Sequence, residues 1–341
     1  MKRRLPAEWE DQDGVIVAWP HENSDWLPCL CQVEPVFAEI AARISQFERV
    51  IVIASDPSEV IKKLDHAHAN MESVSIIRME TNDTWARDFG PVTVVEDGAP
   101  LLLDFGFNGW GLKFAADRDN LITRRLHEAG MFGATPLRTV GLILEGGSIE
   151  SSGDGTIMTT AECLLNPNRN PHLDREEIEA CLAWHFGADH FLWLNHGFLA
   201  GDDTDSHIDT LARLCPDDTI LYMKCNDPSD EHFHALLRME DELRSFRKRD
   251  GSPYRLVPLP LPSPSFDEEG GRLPATYANF LVINGAVLVP TYRDESDEAA
   301  LEIIRGVFPA HTVIGIDCLP LILQHGSLHC VTMQIPKGVL P

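Results

Sequence analysis

No stretch of the sequence reaches the roughly 18 consecutive apolar residues that a bilayer-spanning helix needs. A helical membrane protein is therefore excluded, and no membrane partner is expected. The opening residues Met1-Lys2-Arg3-Arg4-Leu5-Pro6-Ala7-Glu8-Trp9 are basic but have no apolar core behind them, which argues against a secretory signal. No two of the eight cysteines are spaced Cys-x-x-Cys. Cys29 and Cys31 form Cys-x-Cys, too close for a structural zinc loop. The eight read as reduced thiols, and a cytoplasmic location is expected. Basic residues are scarce, 28 against 53 acidic ones, for a net charge of −25. Such a chain repels nucleic-acid phosphates. Its field favours the approach of a cation. What is present is ordinary for a globular protein: 44% hydrophobic and 24% charged residues over 341 positions, enough for a substantial core without disulfides.

Periodicity divides the chain into repeated units. Each consists of two extended runs, an amphipathic helix and a further extended run. In the first, runs at 92–95 and 101–105 bracket Glu96-Asp97-Gly98, with a helix at 118–129 and a strand at 137–144. The second has runs at 148–151 and 156–165 around Gly153-Asp154-Gly155, a helix at 175–185 and a strand at 190–194. The third has runs at 207–214 and 219–225, a helix at 230–247 and a strand at 254–258. The fourth places 279–283 and 286–292 around Asn284-Gly285, a hairpin signal, followed by a helix at 296–307 and a strand at 312–316. The fifth is split between the chain ends: 328–335 pairs with 15–19, ahead of a helix at 34–45 and a strand at 49–54. An extra helix at 58–66 and strand at 73–79 decorate it.

Five such units predict an α/β chain closed into a ring around a central cavity, as one domain over 1–341. The competing layout, two α/β domains, lacks a linker. The only candidate, Pro258-Leu259-Pro260-Leu261-Pro262-Ser263-Pro264, reads as a loop over the cavity.

Four polar segments sit where strands end. They are Asn82 to Pro91, Leu144-Glu145-Gly146-Gly147-Ser148, Gly201 to Asp209, and Gln324 to Thr332. A guanidinium is planar and cationic, and carboxylates match it through paired hydrogen bonds. Asp88 and Asp209 are the candidate holders. Attack on its carbon calls for a thiolate, and Cys330, entering a strand after Gly326-Ser327, suits that role. One histidine can protonate the leaving ammonia and then activate water; His207 is the candidate. In a strand, His207 and Asp209 would share a face. Glu145 could bond His207 and set its tautomer, and Gly146-Gly147 would let the backbone pass close by. Each residue also has an ordinary explanation. Cys330 could be core, the 201–209 segment a solvated loop or a metal site, Asp88 a partner of Arg87, and Trp85 and Trp110 packing residues rather than substrate walls. Cys163 reads as core.

Together these segments resemble the agmatine deiminase family, also called the bacterial-type peptidylarginine deiminase family. The resemblance starts at Leu5-Pro6-Ala7-Glu8-Trp9 and Ala18-Trp19-Pro20, and runs through Trp85-Ala86-Arg87-Asp88 and Asp104-Phe105-Gly106-Phe107-Asn108-Gly109-Trp110-Gly111. It continues with Glu145-Gly146-Gly147, Cys163-Leu164-Leu165-Asn166-Pro167-Asn168-Arg169-Asn170-Pro171 and His207-Ile208-Asp209, and ends at His329-Cys330-Val331-Thr332. It implies a five-bladed, pseudo-symmetric α/β propeller. It also implies Cys330 as nucleophile, His207 as acid and base, Asp88 and Asp209 as guanidinium holders, and Glu145 as the acidic residue of Glu-Gly-Gly. Two departures stand out. The family has Gly-Gly-Gly-Asn before its aliphatic-His-Cys where this chain has Gln324-His325-Gly326-Ser327, and it tends to have Gly where this chain has Ser206.

The resemblance thus implies hydrolysis of agmatine to N-carbamoylputrescine and ammonia through a covalent amidino-cysteine, with no metal or organic cofactor. Asp203, then Asp205, are the candidates for the distal ammonium. The rivals are a free-arginine or peptidylarginine deiminase, a metal-dependent ureohydrolase, and a propeller that only binds. Oligomerisation is compatible with all of them.

Overall fold

The computed structural model describes residues 2–341. Among them, five sheets of three or four strands succeed one another, built to one plan. Two strands pair antiparallel, across a short connection in the first four sheets. The chain then crosses through a helix and adds a parallel strand. Only antiparallel neighbours can be joined by a tight turn, so the parallel addition needs the helix.

In the first sheet, Val92–Glu96 and Ala99–Gly106 are antiparallel and Leu137–Ile143 runs parallel to the latter, with Arg3–Arg4 on the outer edge. The second pairs Ile149–Ser151 with Thr156–Thr160 and adds His190–Leu194. The third pairs Ala212–Cys215 with Thr219–Lys224 and adds Arg255–Pro260. The fourth pairs Leu281–Ile283 with Ala286–Thr291 across Asn284-Gly285 and adds Thr312–Asp317. The fifth joins the chain ends: Thr332–Pro336 lies antiparallel to Gln12–Ala18, and Arg49–Ala54 and Val74–Arg78 follow in parallel.

The helices Ile122–Glu128, Arg175–Phe186, Phe233–Ser245, Asp297–Val307 and Leu30–Ser45 make the crossovers. Leu30–Ser45 buries Val33, Val36, Phe37, Ile40 and Ile44, the stripe of an amphipathic helix laid on a sheet. The strand it covers, Arg49–Ala54, is buried from Val50 onward on both faces, as a central parallel strand should be. Among the described residues no helix is long and apolar enough to cross a membrane. All eight cysteines are free thiols.

Three expected elements differ. The run 156–165 stops as a strand at Thr160, whose hydroxyl caps the turn Ala161–Leu164, so Cys163 is buried in a short helix. The run 207–214 opens with a 3-10 turn, Ile208–Thr210, and becomes a strand only at Ala212. The Pro-rich stretch is half strand. Its remainder, with Leu261 and Pro262, lines a small recess beside Leu199 and His232 rather than the cavity that holds Cys330.

Candidate active site

Strand ends and connections from several sheets meet at a cavity of about 170 Å³, whose lining includes Trp85, Asp88, Trp110, Asp203, His325 and Cys330. Asp88 lies in the one-turn helix Ala86–Phe89 and is buried. Its Oδ1 accepts the Gly147 N–H at 3.0 Å and its Oδ2 the Trp110 indole N–H at 2.9 Å. Gly147 belongs to the 3-10 turn Gly146–Ser148. A Cβ there would lie 2.7 Å from His207 Nδ1, 3.0 Å from Asp88 Oδ1 and 3.1 Å from Asp209 Oδ2. One glycine therefore lies against three of the expected residues, of which Asp88 is more than a hundred positions from the other two.

His207 and Asp209 do share a side, through the tight turn rather than strand alternation. His207 Nδ1 sits 3.7 Å from Asp88 Oδ1, too long for a hydrogen bond, and Nε2 is buried with no partner among the described residues. Asp209 Oδ2 bonds His329 Nδ1 at 2.7 Å, and its Oδ1 is likewise buried and unpaired. Cys330 comes two residues before its strand. Its N–H and its thiol both point to Asn279 Oδ1, at 3.3 and 3.4 Å. Its carbonyl accepts the Arg87 N–H at 3.1 Å, which ties the Arg87-Asp88 segment to the cysteine.

Burial dominates the titration of the group. It pushes Asp88 up to about 8, helped by the carboxylates of Asp209 and Glu145 and opposed by its two donors. It pushes His207 down to about 3, against the pull of Asp209. It raises the Cys330 thiol well above the usual range, helped again by Asp209 and Asp88. Burial would also raise Asp209, but the hydrogen bond and charge of His329 hold its carboxyl below the ordinary value. The cluster thus disfavours negative charge on Asp88 and Cys330 until a cation arrives.

Two expectations need correction. Glu145 does not bond His207: both its oxygens accept the Arg169 Nε–H, at 3.0 and 3.1 Å, and the pair is fully buried. Glu145, Cys163 and His207 do bring ligand atoms within 4.8 Å of one another, yet Arg169 already neutralises the carboxylate. Asp205 does not line the cavity. It is neutralised by Arg169 at 2.5 Å and Lys113 at 2.8 Å, and has no charge left for a substrate. Asp203 does line it, and its carboxylate bonds no other described residue; only its carbonyl is engaged, by Lys113 Nζ at 2.7 Å. Asp25, Asp83 and Asp202 also line the cavity, with no lysine or arginine. Asp202 is spent on its own loop, bonding the Thr204 hydroxyl and the Ser206 N–H. Trp85 and Trp110 are walls as well as packing residues.

Asn279, His329 and Glu8 also contact this cluster, and the sequence alone assigns them no place in it. Asn279 looked like the start of a strand, and Glu8 reaches the site from the N-terminal loop, bonding His329 Nε2 at 2.7 Å. His329 stood in the His-Cys motif with no role attached.

The sequence profile of the Porphyromonas-type peptidyl-arginine deiminase family matches residues 4–336. The agmatine deiminase of Stutzerimonas stutzeri is 34% identical, over 97% of this chain and 95% of that protein. Among solved structures, C. jejuni agmatine deiminase with substrate bound has a TM-score of 0.92 and 39% identity, covering 99% of this chain and 97% of that one. A Porphyromonas gingivalis structure assigned as an arginine deiminase has a TM-score of 0.95 and 50% identity, with 100% of both chains covered. With the profile spanning nearly all of the sequence and the likeness running through every sheet, this chain belongs to the Porphyromonas-type peptidyl-arginine deiminase family.

Proposed function

We propose that the protein hydrolyses agmatine to N-carbamoylputrescine and ammonia. The observation that carries this is the meeting of Asp88, His207 and Asp209 around Gly147 beside the cavity lined by Cys330. The guanidinium sits between Asp88 and Asp209, and its charge offsets the field that keeps the thiol and Asp88 protonated. The Cys330 proton passes to His207 as the thiolate forms a bond to the guanidinium carbon. His207 returns that proton to the departing nitrogen, the C–N bond breaks, and ammonia leaves an amidino-thioether. Water then adds to the same carbon while His207 takes its proton. Collapse breaks the C–S bond, forms the ureido product and restores the thiol. A thiolate is the strongest nucleophile available near neutrality, and one histidine suffices for both proton steps.

The acidic rim supports the amine rather than the amino acid. Asp203 and Asp25 suit a distal ammonium, whereas the carboxylate of arginine would face them without a cation in the lining. Five units with the last sheet shared by both chain ends support a single domain over 1–341, closed as a five-bladed ring about this cavity. The free thiols and the strongly acidic composition support a cytoplasmic place.

The test compares agmatine, arginine and a peptide ending in arginine by mass spectrometry and ammonia release. Agmatine should lead in kcat/KM by about 100-fold, the scale of an unpaired carboxylate in a poorly solvated site. Asp203→Asn should narrow the gap to arginine, and Cys330→Ser should bind agmatine without turnover. A preference for the peptide or for free arginine would overturn the agmatine reading, and turnover by Cys330→Ser would overturn the mechanism.

A further inference from the structure

We propose that His329 is the positioning residue for Asp209, clamped from behind by Glu8, so that the remaining Asp209 oxygen is held ready for a guanidinium N–H. This deepens the deiminase reading and rests on it for its kinetic test. The geometry is a straight succession of contacts. His329 Nδ1 meets Asp209 Oδ2 at 2.7 Å, His329 Nε2 meets Glu8 Oε1 at 2.7 Å, and the ring is fully enclosed. The His329 backbone N–H is pinned on Asn279 Oδ1 at 2.9 Å, the atom that also receives the Cys330 N–H. The ring that orients the carboxylate and the chain that carries the thiol are thus fixed by one amide.

The other charged groups around the ring are Arg213, Arg87 and Glu150. Arg213 Nη2 lies 3.1 Å from His329 Nε2 and 2.5 Å from Glu8 Oε2, and Arg87 Nη1 lies 3.1 Å from Glu8 Oε1. Glu150 bonds Arg213 and the Leu214 N–H, and offers an oxygen within 4.8 Å of the Glu8 and His329 ligand atoms. Glu8, Arg87 and Glu150 line a second cavity of about 80 Å³, away from Cys330. The contact to Asp209 needs a proton between nitrogen and oxygen, which one Nδ1–H supplies; protonating Nε2 as well requires the imidazolium, which burial, Arg213 and Arg87 disfavour and Glu8 and Asp209 favour. The Nδ1–H toward Asp209 fixes which oxygen is engaged, and leaves Oδ1, buried and unpaired, as the free acceptor. A histidine serving only to fill space would need neither carboxylate.

Two substitutions separate the halves of the clamp. Asparagine places its amide N–H near the Nδ1 position, and glutamine near Nε2. His329→Asn should keep the donor to Asp209 and stay within about tenfold of wild-type kcat/KM. His329→Gln should lose about 10- to 100-fold, the worth of a hydrogen bond to a charged group. Equal losses in the two variants would overturn the proposal.

A second readout does not depend on the substrate. The proton NMR spectrum of the wild type should contain a far-downfield imidazole N–H that disappears in both His329→Gln and Asp209→Ala. A resonance from the Nε2 contact to Glu8 survives Asp209→Ala, so absence of any such signal from the wild type, or an Asp209→Ala spectrum that keeps every far-downfield resonance, would overturn the clamp whatever the protein hydrolyses. A wild type inert toward every guanidine, with the resonance behaving as stated, would remove the deiminase reading and leave the clamp standing.

Discussion

A single missing side chain holds the site together. Gly147 does not need an unusual φ; it needs the absence of a Cβ, which would press on His207, Asp88 and Asp209 at once. Gly147→Ala should therefore fold and yet lose turnover by about 100-fold or more, since a displacement of about 1 Å at reacting groups has that effect. Circular dichroism and ammonia release on the same sample check it; normal activity would mean that these side chains yield easily. The two departures from the family pattern also read as backbone. Ser206 and His325 adopt φ of +62° and +65°, the region where glycine costs nothing. Ser206 is held there by the Asp202 carboxylate, and His325 bonds the Gly201 carbonyl at 2.8 Å. The residue types of the candidate site were legible because the proposed reaction calls for them: a thiol, an imidazole and paired carboxylates. Their partners were not. Glu145 could be assigned to His207 on chemical grounds, but whether Arg169, 24 positions on, would claim it first depends on packing that no local pattern encodes.

Among the elements, helix Arg175–Phe186 has ends written plainly in the sequence. Asp174 and Glu177 form a reciprocal cap, and Gly187 terminates the helix at φ +68°. Gly187 also abuts the edge strand Arg3–Arg4, where an added Cβ would meet the Arg3 carbonyl oxygen at 2.0 Å. Gly187→Ala should cost more than about 1 kcal/mol in urea denaturation, the usual penalty for a left-handed alanine being increased by this collision. Its kcat/KM at a temperature where it is folded should match the wild type. A change below a few tenths of a kcal/mol would show that the edge strand moves aside freely. The same kind of signal made most elements legible: apolar spacing, Asn284-Gly285 between two strands, Gly153-Asp154-Gly155 between two more. It failed at 207–211, where Ile208 and Leu211 look like strand residues but are the buried side of a tight turn. Period two and a single 3-10 turn cannot be told apart over so few residues.

At the scale of the whole molecule, the joints between sheets carry buried acids. Glu48 precedes a strand of the fifth sheet and accepts the Asn284 N–H of the fourth at 2.8 Å, with its other oxygen buried and unpaired. Burial raises this carboxyl from 4.5 to about 7. The stability it contributes is therefore full below about pH 4.5 and is lost as pH rises through 7, about 3 kcal/mol in all. Glu48→Gln cannot ionise. Between about pH 5 and about pH 8.5 the wild type should lose about 2 kcal/mol more than the variant, read from urea midpoints; parallel losses would place the pH dependence elsewhere. The five-unit order was visible in the sequence because each sheet repeats one local grammar, while the contacts between sheets, such as this one, were not. The fifth sheet carries a further consequence for how the protein is made. Its Thr332–Pro336 strand pairs with Gln12–Ala18, so during synthesis Gln12–Ala18 waits, edge exposed, for a partner encoded far downstream. Cys330 lies two residues before that closing strand. On the proposed mechanism, a nascent polypeptide that has not yet reached Thr332–Pro336 lacks the finished sheet beside the thiol and stays inert.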